Sequence, residues 1–127
     1  MGSLDDLKIL DFSTLLPGPY ATLMLADMGA EVLKISSASR PDIVLDYPPF
    51  IGDTGVSASQ AWLGRNKKTM FLNLKTGEGK AVVKELVKEY DIVLEQFRPG
   101  VMEKLGLGYE DLKAVNPKLI YCSLTGY

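Results

Sequence analysis

Two segments of the chain combine residue types that suit the binding of an anionic ligand. Each follows an apolar run typical of a buried parallel strand and leads into a helix-like stretch; they are Ser13–Pro19 and Gln96–Gly100. Parallel strands end at one edge of their sheet, where α/β folds bind ligands and where helix N-termini attract anions. Most such junctions bind nothing, and neither segment has the glycine pattern of a dinucleotide-binding turn. The junctions alone therefore leave open whether a ligand binds.

The residue types needed for several kinds of catalysis are missing or few. The chain has no histidine and one cysteine, so it cannot form a Ser-His or Cys-His catalytic pair, and no transition-metal site is expected. Asp11 and Glu95 lie within strands or at their ends, where a buried carboxylate can act as a general base. We expect both to be structural carboxylates instead. The sequence therefore predicts no catalytic residue in this chain.

Other segments resemble binding sites only superficially. Gly77–Lys80 has the glycines and lysine of a phosphate-binding loop but lacks the upstream glycine and the following Ser or Thr, so it is predicted to begin a helix. The basic run Arg65–Lys68 is predicted to form a solvated corner. Trp62 is predicted to belong to the core.

The composition is that of one globular domain. The chain has 127 residues, of which 46% are hydrophobic and 24% are charged, enough for a core of its own. A net charge of -2 excludes an extended nucleic-acid interface but permits a local basic pocket. No apolar run approaches the roughly 20 residues of a membrane span, so no membrane contact is expected. The single cysteine, Cys122, fits a reducing cytoplasm, which is the expected location.

The hydrophobic pattern predicts short strands that alternate with helices. This order is typical of an α/β fold with a Rossmann-like, mainly parallel sheet and flanking helices. Residues 36–55, rich in proline and serine, are predicted to form a long functional loop. The helix that follows Thr76 is predicted to bury a stripe containing Val82 and Val83. The predicted strands are Leu7–Phe12, Val32–Ile35, Thr69–Leu74, Asp91–Glu95 and Leu119–Leu124.

A series of short motifs extends over the whole chain. The motifs are Leu10–Ser13, Gly18–Tyr20, Leu25–Val32, Asn66–Thr69, Leu72–Gly79, Glu95–Gly100, Leu105–Tyr109 and Asn116–Ser123. In this order they resemble the opening of the family III coenzyme A (CoA) transferases. That family includes formyl-CoA, carnitine and bile-acid CoA transferases and α-methylacyl-CoA racemase. Each motif is modest by itself, but their common order makes the resemblance specific.

The resemblance implies a site for CoA or an acyl-CoA, bound as a substrate without a metal. The thioester end would approach the first turn, Thr14–Leu16. The phosphates of CoA call for Arg or Lys side chains, and the adenine needs an apolar slot, which Leu72 and Leu74 could line. The residues implied to bind CoA are Leu15, Leu16, Arg40, Leu72, Asn73, Leu74, Lys75, Gln96, Phe97, Arg98 and Lys104.

The resemblance also implies an activity for the full-length protein. Residues 1–127 would be the N-terminal part of a CoA-binding Rossmann-like domain, without the family's second domain and C-terminal return. The full-length protein, a homodimer, would move CoA from an acyl-CoA to a small carboxylic acid. It would act through an anhydride on an aspartate that lies beyond the residue matching Tyr127. The alternatives are a racemase of the α-methylacyl-CoA type and a stand-alone nucleotide-binding module.

Two positions depart from the family's pattern. The stretch Ser36–Ser39 precedes Arg40, where the family usually has an acidic residue and an earlier arginine. Gln96 stands where asparagine is usual. Both positions border residues that the resemblance implies to bind CoA.

Overall fold

The computed structural model describes residues 2–126, and its central element is a five-stranded sheet in which every neighbouring pair of strands is parallel. The strand order is β3-β2-β1-β4-β5. The strands are β1 Lys8–Asp11, β2 Glu31–Ser36, β3 Lys67–Phe71, β4 Ile92–Glu95 and β5 Ile120–Ser123. The predicted α/β fold with a Rossmann-like, mainly parallel sheet is confirmed.

Helices cover both faces of this sheet, because successive residues of a strand point to opposite sides. On one face Leu10 packs in a buried cluster with Val83 and Val87. On the other face Ile9, the residue before Leu10, packs with Ala26. The helices are α1 Pro17–Asp27, α2 Ala58–Leu63, α3 Gly77–Val87, α4 Val101–Lys104 and α5 Tyr109–Val115, with a 3-10 helix at Ile43–Asp46.

The third strand begins and ends earlier than predicted, so the predicted bounds Thr69–Leu74 are wrong. Asn66 has a left-handed backbone, with φ of 61°, and the strand begins at the next residue. After Phe71 the chain turns, since the Thr76 amide donates to the Asn73 carbonyl at 3.2 Å. The segment 72–75 consequently lies beyond the strand, at the carboxyl edge of the sheet.

Two side chains predicted to be buried are exposed. Trp62 is 44% exposed and packs on Tyr20, with 5.7 Å between the ring centroids, so it covers α1 at the surface. Val82 is 37% exposed, whereas its neighbour Val83 is fully buried. Adjacent residues of a helix point about 100° apart, so the sheet-facing side of α3 holds only one of the two valines.

The long loop 36–55 is largely irregular, as predicted, but it contains the 3-10 helix Ile43–Asp46. The Asp42 carboxylate caps that helix by accepting a hydrogen bond from the Val44 amide at 3.2 Å. The Ser57 hydroxyl, fully buried, donates to the Leu45 carbonyl at 2.6 Å. These side chains fix the loop against the carboxyl edge of the sheet.

Candidate functional site

A cavity of about 410 Å³ opens at the carboxyl edge of the sheet, and we call it the edge cavity. Its walls come from residues 14–15 after β1, the stretch 36–43 after β2, residues 72–75 after β3, Phe97 after β4, and α4. In the sheet, β2 follows on one side of β1, and β5 follows on the opposite side of β4. The edge between β1 and β4 is therefore a topological switch point. Open α/β sheets bind ligands at such points.

Most of the residues predicted to bind CoA line this one cavity. Those that line it are Leu15, Arg40, Leu72, Asn73, Leu74, Lys75 and Phe97. Those that lie outside its lining are Leu16, Gln96, Arg98 and Lys104. The segments after four different strands thus converge as the family resemblance implies, although their role in binding stays a prediction.

The wall formed by residues 72–75 combines apolar and charged surface. Leu72 and Leu74 are half-buried and pack against the main core cluster, so their positions are fixed by the fold. Lys75 at the end of this segment is exposed, and Arg40 on the opposite segment is exposed as well. The lining of the edge cavity therefore combines apolar surface with two cationic side chains, a combination suited to a nucleotide with phosphate groups.

The N-terminus of α1 lacks the free backbone donors that anion-binding helices use. Its first and third residues, Pro17 and Pro19, have no N–H group. The amide of Gly18 between them donates to the side-chain oxygen of Gln96 at 3.0 Å. The next amide, that of Tyr20, donates to the Leu16 carbonyl at 2.9 Å. The N-terminus of α1 is therefore not a site for an anion, whereas side-chain cations of the cavity lining can meet one.

Gln96 ties the segment after β4 to the first turn. Its side-chain oxygen accepts from the Gly18 amide, and its side-chain nitrogen donates to the Thr14 carbonyl. The sequence predicted that Gln96 contacts the ligand, whereas the structure engages both ends of its amide within the protein. Only glycine fits at position 18, because the Cβ of any other residue would lie 2.7 Å from the Gln96 oxygen and 2.2 Å from Ser13 Cβ.

A buried ion pair that the sequence analysis missed also holds the first turn. Lys34 Nζ lies 3.1 Å from Asp42 Oδ2, and the two side chains are only 7% and 3% exposed. Both Asp42 oxygens accept from the Leu15 amide at 3.1 Å. Leu15 has φ of 63°, a left-handed conformation that a residue with a side chain rarely adopts. No sequence motif links these three residues, which lie on separate segments.

A second buried charge pair lies beneath the start of α1. Asp11 is fully buried and accepts hydrogen bonds from the Ser13 amide at 2.8 Å and the Thr22 hydroxyl at 2.5 Å. Lys67 Nζ lies 3.8 Å from Asp11 Oδ2 and donates to the Pro19 carbonyl at 2.8 Å. The prediction that residues 65–68 form a solvated corner is therefore wrong for Lys67, whose side chain is 2% exposed.

Burial changes the titration of Lys67. The pKa of this ammonium is lowered to about 8, chiefly by loss of hydration; the Asp11 carboxylate opposes the shift, and the nearby charge of Lys34 contributes to it. Asp11 and Glu95 are expected from the sequence to be structural carboxylates, and both accept hydrogen bonds within the protein. Glu95 accepts from the Phe97 amide at 2.8 Å and from the Ser123 hydroxyl at 2.5 Å.

Residues 2–126 contain neither a candidate metal site nor a candidate membrane span. No group of three or more His, Cys, Asp or Glu side chains in this range could hold a metal ion. No helix in the same range is long and apolar enough to cross a bilayer. The edge cavity is accordingly the feature on which the candidate function is built.

Relatives of this chain are CoA-transferases of named specificity. The chain is 43% identical over 132 residues to a succinyl-CoA:mesaconate CoA-transferase of Haloarcula marismortui, covering 100% of this chain and 33% of the relative. It is 41% identical over 125 residues to the human succinyl-CoA:glutarate CoA-transferase, covering 98% of this chain and 28% of the relative. The chain thus spans about a third of the length of the curated relatives that it matches.

A solved structure shares the same fold. A CaiB/BaiF family protein from Brucella suis superposes with a TM-score of 0.91 at 40% sequence identity, over 99% of this chain and 34% of that protein. The family model described as CoA-transferase family III matches residues 4–127. Since that match takes in nearly every residue, including all segments that form the edge cavity, this chain belongs to CoA-transferase family III.

Proposed function

We propose that the full-length protein transfers CoA from an acyl-CoA to a small carboxylic acid, and that residues 1–127 are the N-terminal part of its CoA-binding domain. The observation that carries this proposal is the edge cavity, whose lining combines the apolar Leu72 and Leu74 with the cations Arg40 and Lys75. The named relatives, which use succinyl-CoA and dicarboxylic acids, support the choice of reaction.

The edge cavity suits the nucleotide end of CoA. Its volume of about 410 Å³ lies in the range of small-molecule sites, and an adenine ring would pack on Leu72 and Leu74. Arg40 and Lys75 would meet the phosphates with charge-assisted hydrogen bonds. The pantetheine arm would then run toward the first turn, whose Thr14 and Leu15 line the cavity.

Two further cations would complete the site from α4 and the turn before it. Val101 and Leu105 line the edge cavity, and Lys104 lies between them in the chain. Arg98 precedes α4, and its carbonyl accepts from the Val101 amide at 3.1 Å. We propose that both side chains approach phosphate groups that extend beyond the cavity.

The chemical step would use an aspartate from outside the 127 residues. Its carboxylate would attack the thioester carbonyl, which forms a mixed anhydride and releases the CoA thiolate. The part of this chain would be to bind CoA and to hold the thioester end against the first turn. By this proposal the 127-residue chain alone has no turnover.

The alternatives make different demands on the same site. A dinucleotide-binding module of the Rossmann type places a pyrophosphate on free amides at a helix N-terminus. The two prolines of α1 and the Gly18–Gln96 hydrogen bond oppose that mode of binding. A racemase would use the same CoA contacts, so reaction products must distinguish it from a transferase.

The proposed homodimer is supported by exposed apolar side chains on the first turn and on the loop after β2. Leu16, Ile43, Tyr47 and Phe50 are exposed on the first turn, the 3-10 helix and the loop that follows. Exposed apolar groups of this size are typical of surfaces that bind another protein surface. A second copy of the full-length protein is the proposed partner.

The experiment is a product assay on the full-length protein. The protein is incubated with succinyl-CoA and, in separate reactions, mesaconate, glutarate or citramalate, and new thioesters are separated by chromatography. A parallel reaction in deuterated water with a 2-methylacyl-CoA tests for racemase activity by deuterium incorporation. A new acyl-CoA without deuterium exchange supports the transferase. Deuterium exchange without CoA transfer contradicts it, as does turnover by the 127-residue chain alone.

A further inference from the structure

The first turn has a conformation that its own residues do not favour. Leu15 has φ of 63°, and the next residue, Leu16, returns to the right-handed region with φ of -115°. A left-handed residue with a branched side chain persists only where surrounding contacts determine it. Thr14 and Leu15 line the edge cavity, so the shape of the cavity depends on those contacts.

The contacts come from residues far away in the sequence. Asp42 accepts from the Leu15 amide with both carboxylate oxygens, and the chain between the two residues makes up all of α1 and β2. Asp42 is itself held by Lys34 of β2 at 3.1 Å. Because a buried carboxylate needs a partner charge, the ion pair with Lys34 fixes where the Asp42 side chain lies.

The same carboxylate connects two walls of the edge cavity. Through the Leu15 amide it holds the wall formed by the first turn. Through the Val44 amide it caps the 3-10 helix, and so it holds the segment that carries Arg40. We infer that Asp42, with Lys34 as its partner, is a positioning residue that sets the separation of the first turn and the Arg40 segment for CoA binding. This inference rests on the proposed function.

Electrostatics and positioning predict opposite effects of removing this carboxylate. CoA is a polyanion, so deleting a negative charge at the cavity should tighten its binding if charge alone mattered. If Asp42 instead positions the two walls, its loss lowers the population of the binding-competent turn. A fall of that population to about a tenth raises the apparent Kd about tenfold.

The test compares variants of the full-length protein by CoA titration. Asp42→Ala should raise the Kd for CoA about tenfold. Asp42→Asn, which keeps an oxygen able to accept from the Leu15 amide, should recover part of that loss. The matched control is Asp27→Ala, since Asp27 also pairs with a cation, Arg65, but at the C-terminal end of α1, outside the cavity lining. Its Kd should stay within about twofold of the wild type. The double variant Lys34→Met/Asp42→Ala leaves no unpaired buried charge and serves if the single variant does not fold.

A second measurement separates this inference from the proposed function. Amide hydrogen exchange should accelerate at Leu15 in Asp42→Ala, but not at Ser13, whose amide donates to Asp11. Unchanged or tighter CoA binding by Asp42→Ala would overturn the inference. If the wild type binds no CoA, the proposed function fails, and exchange at Leu15 still decides whether Asp42 holds the turn. Unchanged exchange at Leu15 would overturn that role as well.

Discussion

Replacing the buried Lys67 by methionine should change how the stability of the protein depends on pH. Lys67 has a side chain that is 2% exposed, and its pKa is lowered to about 8, chiefly by loss of hydration. In the unfolded chain the pKa returns to its ordinary value of 10.5. Between these two values the unfolded state binds the extra proton, so wild-type stability rises as the pH increases from 8 to 10.5.

The size of the effect follows from the shift. A change of one pKa unit corresponds to about 1.4 kcal/mol, so protonated Lys67 disfavours folding by about 3 kcal/mol below pH 8. The same linkage leaves less than about 1 kcal/mol of this penalty at pH 10. Methionine has nearly the same length and no charge, so the Lys67→Met variant lacks this pH-dependent contribution. Titrating groups that do not interact with Lys67 are common to both proteins and cancel in the difference.

The assay is urea unfolding of the wild type and of Lys67→Met at pH 7, 8.5 and 10. The free energy of unfolding of the variant relative to the wild type should become less favourable by about 2–3 kcal/mol from pH 7 to pH 10. Lys88→Met is the control, because Lys88 is 53% exposed and pairs with Glu85 at the surface of α3. A relative stability of Lys67→Met that does not vary with pH would refute the assigned shift. The same pH dependence in both variants would refute it too.

Two further predictions concern packing and assembly. Val83→Ala should lower the free energy of unfolding by about 2 kcal/mol, because two buried methyl groups are lost, whereas Val82→Ala should change it by less than about 0.5 kcal/mol; equal effects in chemical denaturation would contradict the assigned burial. The 127-residue chain should form dimers or larger oligomers through its exposed apolar groups; a strictly monomeric mass by light scattering at high concentration would contradict this.

The fold could be predicted from the sequence because most of the strands are short apolar runs that alternate with helical patterns. Ile9 and Leu10 are fully buried on opposite faces of the sheet, as expected for a strand covered on both sides. The third strand was misplaced because it is an edge strand. Only Met70 of β3 packs against the main core cluster, so hydrophobic pattern gives little guidance to its bounds.

The meeting of the binding segments at one edge of the sheet could be predicted in part. Leu72–Lys75 and Arg40 were named as binding residues from the family resemblance, and the parallel sheet brings both segments to the edge cavity. The contacts that hold the first turn could not be predicted. The Lys34–Asp42 pair joins a strand to a loop, and Lys67 of β3 reaches Asp11 of β1 although β2 lies between these strands.

Side-chain burial of charged residues explains these misses. A lysine in a basic run, such as Lys67, is usually solvated, and the sequence holds no sign that a carboxylate lies within reach. The expectation that Gln96 contacts CoA comes from the segment that it matches in the family, and it stays a prediction. In the structure its amide is engaged by the Thr14 carbonyl and the Gly18 amide. Such engagement depends on tertiary geometry rather than on local pattern.

The central claim is that the edge cavity binds CoA through side-chain cations, and CoA titration calorimetry on the full-length protein tests it most directly. Arg40→Ala, Lys75→Ala, Arg98→Ala and Lys104→Ala should each weaken binding roughly tenfold or more, since a charge-assisted hydrogen bond to phosphate contributes about 1.5–3 kcal/mol. Each loss of CoA affinity should become smaller as the salt concentration increases. The control Lys88→Ala should bind CoA with the affinity of the wild type. Unchanged affinity in all four variants, or no CoA binding by the wild type, would contradict the account.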